Sequence, residues 1–275
     1  MSVNPLQQFF RQPKIFVKLP SMGVYNEPGS IIGDPSNLPV FGMTGMDEIV
    51  MKTPDALFSG ESVVRVLKSC CPGITDPWAI TTLDIDLLLT AIKIASFGNK
   101  LSVTHVCEHC THTNDYDIDL NSFIEHFSSC EYDSKIVLKD LAVKLRPLTY
   151  KQITDFNIKN YAMQKQMSQA STLENEEEKQ VLMTDLFKNL GDLQIQILTD
   201  GIESVETGSA RVDQKVWLRE WIENCDRTVI EDLRKHIEVN NEKWRVPPST
   251  AVCENCGSEN KFNVEIDQSN FFVGA

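Results

Sequence analysis

The residues best suited to chemistry in this sequence are cysteines. Eight occur in 275 residues, and four form two Cys-x-x-Cys pairs, Cys107 with Cys110 and Cys253 with Cys256. The pairs belong to segments that align without a gap, 146 positions apart. One runs Val106-Cys107-Glu108-His109-Cys110 and continues to Asn114, Tyr116 and Ile118. The other runs Val252-Cys253-Glu254-Asn255-Cys256 and continues to Asn260, Phe262 and Val264. Two residues between cysteines let a tight turn aim both sulfurs at one ion, and two such turns supply the four thiolates of a structural zinc site. Backbone N–H groups of the turn can donate to the sulfurs and stabilise them. The expected ligands are therefore Cys107, Cys110, Cys253 and Cys256, with structural zinc as the cofactor.

Other chemistries fit less well. A redox Cys-x-x-Cys usually opens a helix after a strand, whereas the residues flanking these pairs alternate as strands do. Paired disulfides suit an oxidising compartment, and no export signal is visible at the N-terminus. His109 and His112 lie beside the first pair, but Asn255 and Ser258 hold their places in the repeat, so symmetry favours the cysteines. A catalytic zinc keeps an open position, usually with His or carboxylate ligands. Cys70, Cys71, Cys130 and Cys225 have no such pattern and read as core or free thiols. Asp115, Asp117 and Asp119 share one strand face, which suits solvent better than a cation because the Gly and Glu of a calcium loop are missing. Asp84 and Asp86 read as acids at a helix start. No nucleotide-binding loop, nucleophile elbow or His-Glu-x-x-His is present, and no catalytic residue is assigned.

The elements that hold these cysteines follow from pattern. Each pair is expected between two strands, with Gly257 supplying a left-handed position in the second turn and Thr111 in its place in the first. Upstream, residues 1–13 read as an arm, 14–19 and 38–41 as short strands, and 20–39 as a Gly/Pro-rich loop. Thr44 caps a short helix. Further helices start at Thr53-Pro54-Asp55, at Gly60-Glu61, and at Thr82 or Asp84, the last stopped by Gly98-Asn99. Residues 149–169, 181–199 and 213–239 carry apolar stripes at helical spacing, with a loop at 201–208, and read as a bundle of about three helices. Residues 171–179 read as a solvated turn or an acidic helix start. Trp217 falls outside the main stripe and is the residue to watch for an interface.

The expected fold class is α+β and mostly helical, with a small β zinc ribbon whose two Cys-x-x-Cys hairpins bracket a helical insertion. The expected parts are an N-terminal region at 1–100, a split ribbon at 101–148 and 245–275, and a helical bundle at 149–244. Closing the 142 residues between Cys110 and Cys253 costs about 4 kcal/mol of chain entropy. Structural zinc, at about 10–16 kcal/mol in small peptides, exceeds that. The formal net charge of −13 argues against duplex DNA, whose binders need a basic footprint. The most apolar run, near residues 84–97, is too short and too charged to span a bilayer.

Several short runs then point to a family. They are Arg11-Gln12-Pro13-Lys14-Ile15-Phe16-Val17-Lys18-Leu19-Pro20-Ser21, Leu38-Pro39-Val40, Met43-Thr44, Asp47-Glu48 and Lys52-Thr53-Pro54-Asp55-Ala56-Leu57-Phe58-Ser59-Gly60-Glu61. Lys68-Ser69-Cys70, Asp76-Pro77-Trp78 and Ala95-Ser96-Phe97-Gly98-Asn99-Lys100 follow. In that order, and leading into a Cys-x-x-Cys, they resemble the baseplate hub and hub-assembly proteins of T-even-type contractile-tailed bacteriophages over about residues 11–120. The resemblance implies a non-enzymatic structural or assembly role in the viral tail and other hub or tail proteins as partners. It implies a place in the host cytoplasm during assembly, as a virion component or a transient assembly factor. The competing reading is a zinc-ribbon nucleic-acid-binding regulator; a zinc or thiol enzyme ranks last.

Overall fold

A computed structural model of the chain describes residues 5–53, 58–264 and 266. Most of the expected helix start at Thr53-Pro54-Asp55 and the first residues of the arm lie outside them. The architecture is mixed α and β, and the chain divides into two compact units, Met1–Glu131 with Trp244–Ala275, and Tyr132–Lys243. Among the described residues no helix is long and apolar enough to cross a membrane.

In the first unit, β1 (Pro13–Val17) pairs antiparallel with β2 (Leu38–Phe41). Thr44 caps α1 (Gly45–Met51) in a reciprocal box with Asp47, which satisfies two orphan donors of the first turn. Next come α2 (Glu61–Cys70) and α3 (Thr82–Phe97). Helix α3 is apolar nearly all round, and Leu83, Ile85, Leu87, Leu88, Leu89, Ala91, Ile92 and Ala95 are all buried. A helix with no polar stripe belongs at the centre of a unit. Gly42 is required at its contact with this helix, because a Cβ there would lie 2.8 Å from the Ala95 carbonyl oxygen.

The start of α3 departs from the sequence reading. Thr81 is the N-cap. Asp84 is wholly buried and receives the loop instead: the Ser21 N–H donates to Oδ1 at 2.9 Å, and the Asn26 amide to Oδ2 at 2.9 Å. Burial raises the Asp84 pKa, against the hydrogen bonds from Ser21, Asn26 and Thr81. Arg11 fixes the other end of the segment. Its guanidinium donates to the Gly42 carbonyl at 2.6 Å, to the Ser69 carbonyl, and to the Ser69 hydroxyl at 2.8 Å, and it lies 3.5 Å from Asp47.

Strands β3 (Lys100–Val106) and β4 (Thr113–Asp119) follow, then α4 (Asn121–Ser129), which buries Phe123 and Phe127. The remaining pieces of the unit are β9 (Ser249–Val252) and β10 (Glu259–Phe262). Each pair of strands forms its own two-stranded antiparallel sheet.

The second unit contains a sheet that draws two strands from the segment expected as ribbon and two from the expected helical bundle. Strands β5 (Lys135–Leu138), β6 (Leu141–Leu145), β7 (Ile202–Glu206) and β8 (Arg211–Val212) form one antiparallel sheet in sequence order. The expected loop at 201–208 is therefore mostly β7. Its apolar residues, Ile202 and Val205, are too few to reveal a period without their partners on β6. Between β6 and β7 runs a hairpin of α5 (Tyr150–Ser171) and α6 (Glu176–Asp200). Thr149 and Asn175 cap the two helices, and Glu176, Glu177 and Glu178 fill the first turn of α6, where carboxylates favour the helix dipole. Lys215 closes the far end of α6, donating to the carbonyls of Thr199 at 2.9 Å, Asp200 at 3.2 Å and Ile202 at 2.8 Å.

The expected single helix at 213–239 is two, α7 (Lys215–Asn224) and α8 (Arg227–Lys243). Cys225 leaves the helical region at φ −80°, ψ 163°. The apolar stripe continues across the break because both helices pack on one core. Leu218, Ile222, Val229 and Leu233 join Val143, Leu145, Ile202 and Val205 there. Trp217 lies off this stripe and is 53% exposed.

Candidate metal centre

Local geometry makes the two Cys-x-x-Cys turns near copies. In the first, the Cys107 N–H donates to the His112 carbonyl at 2.8 Å and the Thr111 N–H to the Cys107 carbonyl at 2.9 Å. In the second, the Cys253 N–H donates to the Ser258 carbonyl at 2.8 Å and the Gly257 N–H to the Cys253 carbonyl at 2.9 Å. Both turns need a left-handed residue after the second cysteine. Gly257 takes φ 71° and Thr111 takes φ 57°. A glycine occupies that region freely, while a β-branched residue there is strained. The first turn thus keeps the shape of the second in spite of its threonine.

The two hairpins bring their turns together. Cys107 and Cys256 sulfurs lie 3.7 Å apart, and those of Cys110 and Cys253 lie 3.6 Å apart. All four sulfurs fall within 4.8 Å of one another, and neither His109 nor His112 joins the group. A disulfide would bring two sulfurs to about 2.05 Å, so none of these contacts is one. A tetrahedron with metal–sulfur bonds of about 2.3 Å has edges of about 3.8 Å. Two of the six sulfur–sulfur distances match that edge and the rest stay within 4.8 Å, a cluster compatible with a tetrahedral metal.

Packing beneath the thiols is aromatic. Phe262 on β10 stacks on His105 of β3 at 4.8 Å between ring centroids and on Tyr116 of β4 at 5.4 Å. Cys107 and Cys253 are buried, Cys110 is half-buried and Cys256 is exposed. One side of the cluster is thus shielded and the other is open to water.

The electrostatics are those of crowded acids. The Cys253 thiol is pushed down to about 6, chiefly by the Cys256 backbone N–H at its sulfur and further by the Asn255 N–H and the Asn114 side chain. Cys256 is lowered by the Ser258 hydroxyl and N–H. At Cys110 the His112 N–H and the Asn255 amide pull the same way, yet burial and the neighbouring Cys256 and Cys253 thiols leave it raised, to about 11. Like charges this close cannot all form unless a cation sits among them. The donor set suits a borderline-soft divalent ion.

Two residues important to this geometry were not assigned from sequence. Asn114 and Asn260 hold the same repeat position and are buried at 2% and 4% exposure. The repeated Asn was visible as a pattern, but its role needs the opposing turn. The aspartates of β4 are otherwise engaged. Thr104 donates to Asp115 at 2.6 Å, Ser102 to Asp117 at 2.8 Å and Asn99 to Asp119 at 3.0 Å. Cys70 and Cys71 are buried, and burial raises both thiols, Cys70 to about 11.

No curated protein and no solved structure matches the chain. The family model described as T4 bacteriophage base plate protein matches residues 46–273, a span that takes in both cysteine pairs and everything between them. On that match, the chain belongs to the T4 bacteriophage base plate protein family.

Proposed function

We propose that this chain is a non-enzymatic structural or assembly protein of the tail baseplate hub, held in shape by one structural zinc on Cys107, Cys110, Cys253 and Cys256. The observation that carries this reading is the meeting of four thiols within 4.8 Å of one another from segments 146 positions apart. Zinc on these ligands closes a ribbon split by the residues between them, so that the segments carrying the two turns act as one part and the unit at Tyr132–Lys243 is an insertion between them in the chain. Family membership supports a place in the tail, and the runs that resemble hub and hub-assembly proteins support the hub within it.

The partners on this reading are other hub and tail proteins. The rival, a nucleic-acid-binding ribbon, finds little support in the charges beside the turns. Glu108 and Glu254 lie inside them, and Asp115, Asp117 and Asp119 line β4. Phosphate neutralisation needs the opposite sign.

The test is assembly with the metal site removed. Cells producing phage with the Cys107→Ser/Cys253→Ser chain are expected to accumulate incomplete baseplates, and the wild-type chain is expected to co-purify with hub proteins. Complete baseplates from the double variant would count against a zinc-stapled assembly role. Salt-sensitive binding of nucleic acid by the purified wild-type chain, without hub proteins, would favour the rival.

A further inference from the structure

The repeated asparagines are equal in sequence and unequal in use. Asn114 Nδ2 donates to the His112 carbonyl at 3.0 Å, the same oxygen that receives the Cys107 N–H. Asn260 Nδ2 makes the matching contact to the Ser258 carbonyl at 3.3 Å, which receives the Cys253 N–H. To that extent each asparagine braces its own turn. Asn114 then does something more: its Oδ1 accepts the Glu254 N–H at 3.0 Å. Glu254 directly follows Cys253 in the opposing turn. One buried side-chain amide therefore joins the backbones of both turns, from the oxygen that holds Cys107 to the peptide that leads out of Cys253. Among the described residues the matching contact, from the Glu108 N–H to Asn260, is not made.

We infer that Asn114 is a positioning residue of the metal centre, holding the C-terminal turn in register with the N-terminal one through the Glu254 N–H. This rests on the zinc reading above. The physical case is that a buried amide with both ends satisfied is rigid, and that it constrains the peptide bearing a ligand rather than the ligand's sulfur alone. Groups of this kind orient metal ligands, and their loss typically costs 10–100-fold in metal affinity. The contact also lies where the chain most needs it. The segments carrying the two turns are far apart in sequence, so each must find the other before four thiols can meet. Asn260 supplies the local brace and meets the Tyr116 side chain of the other hairpin, but among the described residues takes no hydrogen bond from the opposing turn's backbone, and so serves as the internal control.

The experiment is a Co²⁺ titration of the full-length chain, with a chelator of known affinity as competitor. The visible bands of tetrahedral cobalt–thiolate report the site. Wild type is expected to take up one Co²⁺ with those bands. Asn114→Ala is expected to bind at least tenfold more weakly, while Asn260→Ala stays within threefold of wild type. A second pair of variants reads the same contact from its other side, and decides the matter if Asn114→Ala does not fold. Glu254→Pro removes the donor N–H and is expected to lose at least tenfold, whereas Glu108→Pro removes the N–H with no asparagine acceptor and stays within threefold. Because Asn114 and Glu254 share one contact, Asn114→Ala/Glu254→Pro should lose no more than the weaker of the two single variants; a general loss of packing would add instead. Normal cobalt binding by wild type with equal affinities for Asn114→Ala and Asn260→Ala, or for Glu254→Pro and Glu108→Pro, would overturn the positioning role and leave the zinc reading intact. Failure of wild type to bind cobalt through its thiols would end both.

Discussion

Two kinds of acid in the first unit answer to pH in opposite ways. The four thiols hold an ion only when deprotonated, so acid opposes the metal centre. Asp84 is the reverse case. Its pKa is raised from the ordinary 3.8 by burial, so folding favours its neutral form more than the unfolded chain does. The stability it adds is complete below about 3.8 and is lost as pH rises through the raised value. Asp84→Asn removes that titration. The difference in urea midpoint between wild type and Asp84→Asn is therefore expected to move against wild type as pH rises from 3.8. Thiol protonation is common to both proteins and cancels in the difference. Asp84→Ala is a harsher change, since it strands the Ser21 N–H and the Asn26 amide; a loss of about 3 kcal/mol is expected in urea unfolding. At this scale the sequence revealed the cysteines because they repeat. It did not reveal Asp84 or Arg11, whose partners lie 63 and 58 positions away with no pattern to mark them.

Elements were legible where period and caps agreed. Thr44 announced one helix as its cap and the apolar stripe from residue 149 announced another, and both Thr44 and Thr149 close a capping box. Strand β7 and the break between α7 and α8 were not legible, because both depend on the sheet they pack against. A five-residue strand carries too little period alone, and an apolar stripe does not report a single non-helical residue such as Cys225. The turns that carry the cysteines offer a direct check on local strain. Thr111 adopts the left-handed conformation that Gly257 adopts in the copy. Thr111→Gly is expected to stabilise the chain by about 1 kcal/mol in thermal or urea unfolding. Gly42→Ala is expected to do the opposite, by about 1–3 kcal/mol, because its Cβ would press on the Ala95 carbonyl, a backbone atom that cannot swing away.

For the whole molecule, the proposed metal bears on one of the two units only, which leads to a selective response. The unit at Tyr132–Lys243 has its own sheet and apolar core. The hairpin of β9 and β10 meets β3 and β4 through four thiols, the Asn114 contact and the Phe262 stack. Strong chelation is therefore expected to raise hydrogen exchange at 100–119 and 249–262 while leaving 132–243 protected; uniform change, or none, would count against a metal staple. The family match covers residues 46–273 and fits a protein that works by shape in the baseplate. What holds that shape is read out by zinc K-edge X-ray absorption of the purified full-length chain. One zinc per chain with four sulfur neighbours at about 2.3 Å is expected. A zinc-free protein, or a first shell of nitrogen or oxygen, would contradict it.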